Sequence, residues 1–225
     1  MCAGALASIA VTAQASSLDS LVKAVKFDDV SAVQKALAHG ADPNATDDQG
    51  MPLIVLAARE KSDKVAKALM ANAKTDVEKL DAAGENAMML AALNGDTALV
   101  KALIDKGAEV NKKGWAPLHY AAANGHDDIV QLLLDHSAYI DAGSPNGTTP
   151  LMMAARGNHL STVKVLLDAG ADSHVKNQIG MTALDFAKRY QAKDVEQGLQ
   201  DMYAREAAAA SGASAASTPA QNGAK

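Results

Sequence analysis

Glycine recurs along this chain at a nearly constant spacing, and that regularity limits the possible folds more than any other feature. The recurring glycines are Gly50, Gly84, Gly114, Gly147 and Gly180, with successive gaps of 34, 30, 33 and 33 residues. A period of this length is typical of repeat proteins, in which each unit buries its apolar face only against its neighbours. We therefore expect an elongated stack of similar units.

A similar string of residues follows each of the inner glycines. The strings read NAMMLAALNGDTALVKALI at 86–104, APLHYAAANGHDDIVQLLL at 116–134 and TPLMMAARGNHLSTVKVLL at 149–167. Each string holds two apolar stretches of helical period, separated by a glycine or an asparagine that tolerates the left-handed conformation at a helix C-terminus. The pattern predicts two helices in every unit.

Residue types at the expected helix starts agree with this prediction. Thr149, Thr182 and Asn86 stand where first helices begin, and their side chains can accept hydrogen bonds from free backbone N–H groups. Pro150 follows Thr149 at the first helical position, which proline favours. Ala116 offers no such acceptor, so we expect a weaker helix start there.

Small residues in the first helix indicate close packing between units. Aromatic residues make up only 3% of the chain, so the core must consist mainly of Ala, Leu, Val and Met. A pair of alanines recurs in the first helix of the inner units, at Ala91-Ala92, Ala121-Ala122 and Ala154-Ala155. We expect neighbouring first helices to approach closely at these pairs.

One stretch carries a specific family resemblance, through Pro117-Leu118-His119, Ala121-Ala122, Gly125-His126, Ile129-Val130 and Leu133-Leu134. It resembles the ankyrin repeat, T-P-L-H-x-A-A-x-x-G-H-x-x-I-V-x-x-L-L-x-x-G-A, and the resemblance extends over residues 18–203. The resemblance implies an all-α solenoid of stacked helix–loop–helix units with protruding fingers, in which His119 bridges the backbones of adjacent fingers. We expect six units within residues 16–203, including degenerate caps at 17–45 and 179–203.

The two ends of the chain do not show the repeat. Residues 1–15 are small and apolar and finish with Ala13-Gln14-Ala15, an A-x-A cleavage signature, so we expect the remnant of a secretory signal peptide there. No Lys or Arg precedes Lys23, which leaves a frayed Ala-rich terminus as the alternative. Residues 204–225 are rich in alanine and small polar residues, and we expect a disordered tail.

Composition and motifs disfavour several classes of function. The net charge of −5 argues against a nucleic-acid-binding protein, and no apolar run is long enough to enter and span a bilayer. The single cysteine, Cys2, cannot provide a disulfide framework within the chain or a cysteine-based zinc site. We found no motif for catalysis, for a cofactor or for a metal, and we expect a monomer that binds another protein.

The family resemblance directs attention to the finger tips and to the exposed side of each first helix as the partner-binding surface. The candidate partner-binding residues are Met51, Arg59, Glu85, Asn94, Lys112, Lys113, Trp115, Tyr120, Asn124, Asn146, Thr148, Arg156, Ile179, Met181 and Arg189. Trp115 is the only tryptophan and lies on the shortest finger. It is either a binding residue or a cover for the gap that this finger leaves, and we expect Met153 and Phe186 to serve packing.

The chain also resembles short bacterial ankyrin proteins with a signal sequence. This resemblance implies a non-catalytic protein-binding module that is periplasmic or secreted, with a cytoplasmic location as the alternative. Two other functions stay open. One is a secreted effector that acts on a host protein, and the other is an enzyme or metal-binding protein built on repeats.

Overall fold

The computed structural model describes residues 17–216, with the burial of side chains described as far as residue 211. The signal-peptide prediction for residues 1–15 and the last nine residues of the predicted tail lie outside the described residues. Within the described part, the secondary structure is helical, with one isolated β-bridge between Thr46 and Pro52.

The described residues form six helical pairs. The first helices of the pairs are α1 (17–26), α3 (Leu53–Arg59), α5 (Ala87–Asn94), α7 (Pro117–Ala123), α9 (Pro150–Arg156) and α11 (Ala183–Arg189). The second helices are α2 (Val30–Ala38), α4 (Asp63–Ala71), α6 (Thr97–Asp105), α8 (Asp127–Asp135), α10 (Leu160–Asp168) and α12 (Lys193–Ala216). The predicted arrangement of two helices per unit and six units is confirmed.

Equivalent helices stack on one another from unit to unit. From α3 to α11, each first helix packs against the next, and from α2 to α12 the second helices do the same. The paired alanines of α5, α7 and α9 are fully buried, as their small size and repeated position predict. Two parallel layers of helices therefore form the solenoid, and the apolar core runs continuously between them.

Loop side chains tie each unit to the backbone of the next. Their oxygens accept backbone N–H groups about one repeat further on: Asn44 from Asp76 (2.8 Å), Glu78 from Glu109 (2.7 Å), Asn111 from Tyr139 (2.8 Å) and Asp141 from Asp172 (3.2 Å). At the turn between the two helices of a unit, Asp28 accepts from Val65 (2.9 Å) and Asn158 from Val195 (3.2 Å). Hydrogen bonds thus connect units on both sides of the helix stack.

The helix starts use the capping residues that the sequence predicts. The side chains of Asn86, Thr149 and Thr182 each accept a backbone N–H three residues on, at 3.0, 3.3 and 3.3 Å. Asp185 returns a bond by accepting the N–H of Thr182 (2.9 Å), and these bonds from the backbone and hydroxyl of Thr182 lower the pKa of Asp185. This reciprocal capping box secures the start of the last first helix.

Two glycines between paired helices are required by both backbone conformation and space. Gly95 and Gly125 have φ values of 75° and 72°, and a Cβ at either would lie 2.7 or 2.6 Å from a histidine ring of the next unit. The rings are held there because His126 bonds to the carbonyl of Leu93 (3.1 Å) and His159 to that of Ala123 (3.0 Å). Asn158 takes the same position with φ 58°, as predicted.

His119 links two fingers through both nitrogens of its buried ring. The N–H of Ala116 donates to its Nδ1 (3.2 Å), so the ring proton is on Nε2, which donates to the carbonyl of Thr148 (3.0 Å). Burial lowers the pKa of His119, and bonds to backbone groups oppose that shift only in part. The predicted bridging role is confirmed, and the first of these bonds compensates for the missing side-chain cap at Ala116.

The end of the chain differs from the prediction of a disordered tail from residue 204, because α12 continues to Ala216. Tyr203 anchors this helix: its hydroxyl donates to the carbonyl of Ser173 (2.9 Å), and its ring lies 4.9 Å from that of His174. Alanine has the highest helix propensity, and a helix that already exists extends without a new nucleation step. Residues 204–211 are nevertheless all exposed, so they extend beyond the packed stack.

Replacement of Gly95 by alanine should destabilise the protein more than the same replacement at Gly50. Both glycines have nearly the same positive φ, 75° and 78°, but a Cβ at Gly50 meets nothing within 4 Å. Gly50→Ala should therefore cost only the backbone strain of about 1–2 kcal/mol. Gly95→Ala should cost about 1 kcal/mol more, because it also displaces the His126 ring from the carbonyl of Leu93. Urea unfolding of both variants measures the difference, and equal losses would contradict the steric role of the ring.

The buried imidazole should make stability depend on pH. Because the folded-state pKa of His119 is lowered, its contribution is complete above the ordinary histidine pKa of about 6.5 and is lost as the pH falls below that value. His119→Ala should cost about 3 kcal/mol at pH 7.5, through two lost hydrogen bonds and a cavity, and it should lose less stability than the wild type between pH 7.5 and 5.5. The other histidines are present in both proteins, so their contribution to the pH dependence cancels when the two profiles are compared. Parallel pH profiles for the two proteins would exclude a buried neutral imidazole.

Candidate protein-binding surface

Four of the fingers end in the same hydrogen-bonded turn. A polar residue, Asp47, Asp81, Ser144 or Asn177, stands three positions before the finger glycine. Its carbonyl accepts the N–H of that glycine, and its side-chain oxygen accepts the N–H of the residue after the glycine, at 2.9–3.0 Å. The motif of an Asp, Asn or Ser three residues before glycine is visible in the sequence, and it would have predicted these turns.

The third finger has a different conformation. Residues 113–115 form only a bend, and a Cβ at Gly114 would lie 3.4 Å from the ring of Pro145 in the next finger. Lys112 is mostly buried at the base of this finger and forms ion pairs with Glu78 and, at 3.3 Å, with Glu109. Burial lowers the pKa of Lys112, but the two carboxylates outweigh it and raise the pKa overall. Lys112 thus anchors the short finger, whereas its neighbour Lys113 is exposed.

Trp115 stands next to the glycine of this finger, and its ring packs against α7. Its ring lies edge-on to His119, with centroids 5.3 Å apart, and edge-on to Tyr120 at 6.3 Å. It therefore covers the buried imidazole beneath the shortened finger. The residue nevertheless keeps 37% of its surface exposed, which leaves an aromatic surface available to a partner.

An apolar pocket of about 190 Å³ opens beside this ring. It is formed by residues from three successive units: Leu93, Trp115, His119, Tyr120, Ala123 and Met153. Pockets for drug-sized ligands usually measure about 300–1,000 Å³. The pocket therefore has the size for one bulky side chain, and it lies where the fingers meet the first helices.

The polar edge of the pocket is closed by a single bond. The hydroxyl of Tyr120 donates to a carboxylate oxygen of Glu85 (2.8 Å). Burial, followed by the hydrogen bond and the charge of Glu85, raises the pKa of Tyr120, so the hydroxyl stays protonated and acts as a donor. Glu85, a predicted binding residue, is half-buried and supports the pocket from the second finger.

Two candidate binding residues are corrected because the structure buries them. Met51 is 9% exposed and packs in the apolar core, and Thr148 is 3% exposed. The finger turn folds the position after the glycine back against the stack, where the carbonyl of Thr148 accepts the bond from His119. Met181, at the equivalent position of the last unit, is half-buried, and its sulfur accepts a contact from Arg189 (3.5 Å).

Asn94 and Asn124, both predicted to contact a partner, form hydrogen bonds within the stack. The amide of Asn94 donates to the carbonyls of Ala58 (3.0 Å) and Arg59 (3.3 Å), and that of Asn124 donates to the carbonyl of Leu93 (2.8 Å). These bonds tie successive first helices together. The preceding residues, Leu93 and Ala123, line the pocket instead.

The remaining candidate residues differ in their exposure and in the contacts they make within the chain. Asn146 belongs to the fourth finger turn, where its side chain accepts from Ser144 (2.6 Å), while Ile179 is 71% exposed. Arg59 pairs with Glu60 (3.1 Å). Met153, which we expected to serve packing, lines the pocket, whereas Phe186 is buried as expected.

The cationic end of the surface is formed by the arginines of α9 and α11. The guanidinium of Arg156 lies 5.0 Å from the centre of the Tyr190 ring, which stacks loosely on Phe186 at 6.0 Å. Arg189 is exposed beside it. The sequence placed both arginines correctly on the exposed side of their helices, because they occupy equivalent positions one repeat apart.

The described residues contain no group of three or more His, Cys, Asp or Glu side chains placed to hold a metal ion. Among the helices that the structure describes, none combines the length and the apolar character that crossing a bilayer requires.

Three known proteins illustrate the similarity of this chain to others. It is 31% identical over 173 residues to the B-cell lymphoma 3 protein homolog of Mus musculus, a match that covers 74% of this chain and 39% of that protein. It is 35% identical over 77 residues to the Notch-regulated ankyrin repeat-containing protein of Homo sapiens, covering 33% and 68%. It is 30% identical over 121 residues to palmitoyltransferase AKR1 of Lachancea kluyveri, covering 51% and 16%.

This chain therefore spans less than two thirds of the mouse protein and about a sixth of the palmitoyltransferase. A family model decides the classification. The model described as ankyrin repeats (3 copies) matches residues 54–144 and 138–204, which together cover most of the chain and the whole of the pocket. With its stacked helical pairs and its fingers, the chain belongs to the ankyrin-repeat family.

Proposed function

We propose that this protein is a non-catalytic binding module that holds a partner protein on the face formed by its fingers and first helices. The observation that carries the proposal is the apolar pocket beside Trp115, which opens on that face with a partly exposed aromatic ring at its rim. Water is a poor solvent for such a surface, so a complementary side chain gains free energy by filling it.

The composition of the pocket suits a protein partner. Trp and Tyr are enriched among residues whose truncation weakens protein complexes most, and Trp115 and Tyr120 are both fixed by neighbours. Met153 adds a flexible, polarisable wall that adapts to the shape of an inserted side chain. The volume of about 190 Å³ favours one inserted side chain over a whole small-molecule substrate.

The titratable groups at the pocket support a non-catalytic role. Both nitrogens of His119 are engaged with backbone groups, and Tyr120 is engaged with Glu85. A general base needs a free acceptor within reach of its substrate, and these groups are already committed to structural bonds. The palmitoyltransferase matches over only 16% of its own length, so its activity is not transferred to this chain.

Affinity capture with matched variants tests the proposal. Partners retained by the wild-type chain should bind Trp115→Ala more weakly by about 2 kcal/mol, the scale expected of an aromatic hot spot. Phe27→Ala is the control, because Phe27 is an aromatic residue that is 83% exposed at the turn after α1, outside the pocket. The measurement is the dissociation constant of each variant for a captured, purified partner.

Leu93→Gln provides a second variant that alters the pocket wall with little change in volume. Thermal unfolding of each variant must show an intact stack before binding is compared, since Trp115 also covers His119. If folded Trp115→Ala and Leu93→Gln bind every partner as well as the wild type does, the pocket is not the binding site and the proposal fails.

We also propose that the protein is exported, with Ala13-Gln14-Ala15 as its cleavage site. The sequence motif alone supports this proposal, and the relatives described above are proteins of animals and of a yeast. Expression of the whole chain in a bacterial host should yield a mature protein that begins at Ser16 in the periplasmic fraction. A chain that keeps residues 1–15 in the cytosol would contradict export, and protein in the medium would favour the secreted effector.

A further inference from the structure

The apolar pocket has a charged neighbour on one side. Arg59, Leu93, Ala123, Arg156 and Arg189 occupy one equivalent position in successive first helices, with the same gaps as the finger glycines. In the next unit after Ala123, which lines the pocket, this position is Arg156. Arg156 also lies one helical turn beyond Met153 on α9, so the two side chains are neighbours on the helix surface, and the guanidinium of Arg156 reaches toward Tyr190 of the last unit.

Three cations on the face that carries the pocket are not paired with a carboxylate of the described residues. The guanidinium of Arg156 is stacked on Tyr190, Arg189 donates to the sulfur of Met181, and Lys113 is exposed two residues before Trp115. None of these three side chains forms an ion pair with a described residue. In contrast, Lys112 and Arg59, on the same surface, are paired with Glu78 and Glu60.

This excess of positive charge is local, because the chain as a whole carries a net charge of −5. The carboxylate beside the pocket belongs to Glu85, and Tyr120 holds it on the side of the second finger. The pocket therefore has a negative side toward α5 and a positive side toward α9. A partner that fits this distribution directs its acidic groups toward Arg156 and away from Glu85.

We propose that the pocket recognises a protein segment in which a bulky apolar side chain is followed or preceded by Asp or Glu. The apolar side chain fills the space between Trp115 and Met153. The carboxylate of the neighbouring Asp or Glu extends across α9 and pairs with Arg156. The planar guanidinium suits a two-point bond to a carboxylate, and its stacking on Tyr190 fixes its orientation in advance. This inference rests on the proposed function, since it specifies the partner for the same surface.

Selection from a phage-displayed library of random peptides tests the proposal on the full chain. Peptides that bind the wild type, after depletion on the Trp115→Ala chain, should be enriched in an aromatic or large aliphatic residue next to Asp or Glu. A synthetic copy of the most enriched peptide is then titrated by calorimetry. Arg156→Glu should weaken its binding about tenfold or more, because the variant places a repelling charge beside the carboxylate.

Lys164→Glu is the matched control, because it makes the same charge reversal at an exposed lysine of the second helix α10. The affinity of this variant for the peptide should stay within about twofold of the wild-type value. Position 164 lies in the layer of second helices, so its charge acts on the peptide only over a long, screened distance. Raising the salt concentration should weaken the wild-type complex and leave the Arg156→Glu complex less affected.

The outcomes separate this inference from the proposed function. If Trp115→Ala abolishes peptide binding but acidic residues are not enriched and Arg156→Glu binds normally, the pocket binds proteins and the acidic requirement is wrong. Enrichment of basic peptides, or equal effects of Arg156→Glu and Lys164→Glu, would also overturn it. If no peptide distinguishes the wild type from Trp115→Ala, the pocket does not bind a linear segment, and this inference fails.

Discussion

The structure depends on the hydrogen bonds that each unit makes to its neighbour, because backbone N–H groups in the loop of one unit find their acceptors in the unit before it. Side chains such as Asn44 and Asn111 accept backbone N–H groups from the loop of the next unit, and the buried alanine pairs allow the helices to approach closely enough for those bonds to form. The two effects reinforce each other, since close packing sets the distance and the hydrogen bonds set the alignment. In such a stack, stability is approximately the sum of the intrinsic stability of each unit and the interactions between neighbouring units.

Because the helices and the bases of the loops hold the stack together, the variable parts of the chain lie at the finger tips. The bonds between units use backbone groups and side chains at the base of each loop, so the finger tips can change length without breaking the stack. The third finger is short, and Lys112, bound to Glu78 and Glu109, fixes its base while Trp115 covers the His119 ring. The same shortening exposes part of the tryptophan and opens the space next to it.

Much of the fold follows from local patterns that the sequence displays directly. Helical period, the capping Asn86 and Thr182, and the bridging His119 each act over a few residues or one repeat, and the structure agrees with them. The surface was harder to predict because neighbouring residues on a helix face different directions. One residue is about 100° on a helix, and that step separates Asn94, which bonds to the previous unit, from Leu93, which lines the pocket.

The remaining differences have similar physical causes. The direction of the finger turn, which buries Met51 and Thr148, depends on an Asp or Ser four residues earlier. The alanine-rich end reads as disorder by composition, but its continuity with a packed helix extends α12 to Ala216. The pocket itself joins three units, so no single repeat contains its pattern. Finally, stacked repeats present similar surfaces at steps of one unit, which by themselves would not distinguish one position along the stack from the next. The short finger at Gly114 occurs once among the described units, so it gives the stack one position that differs from the others.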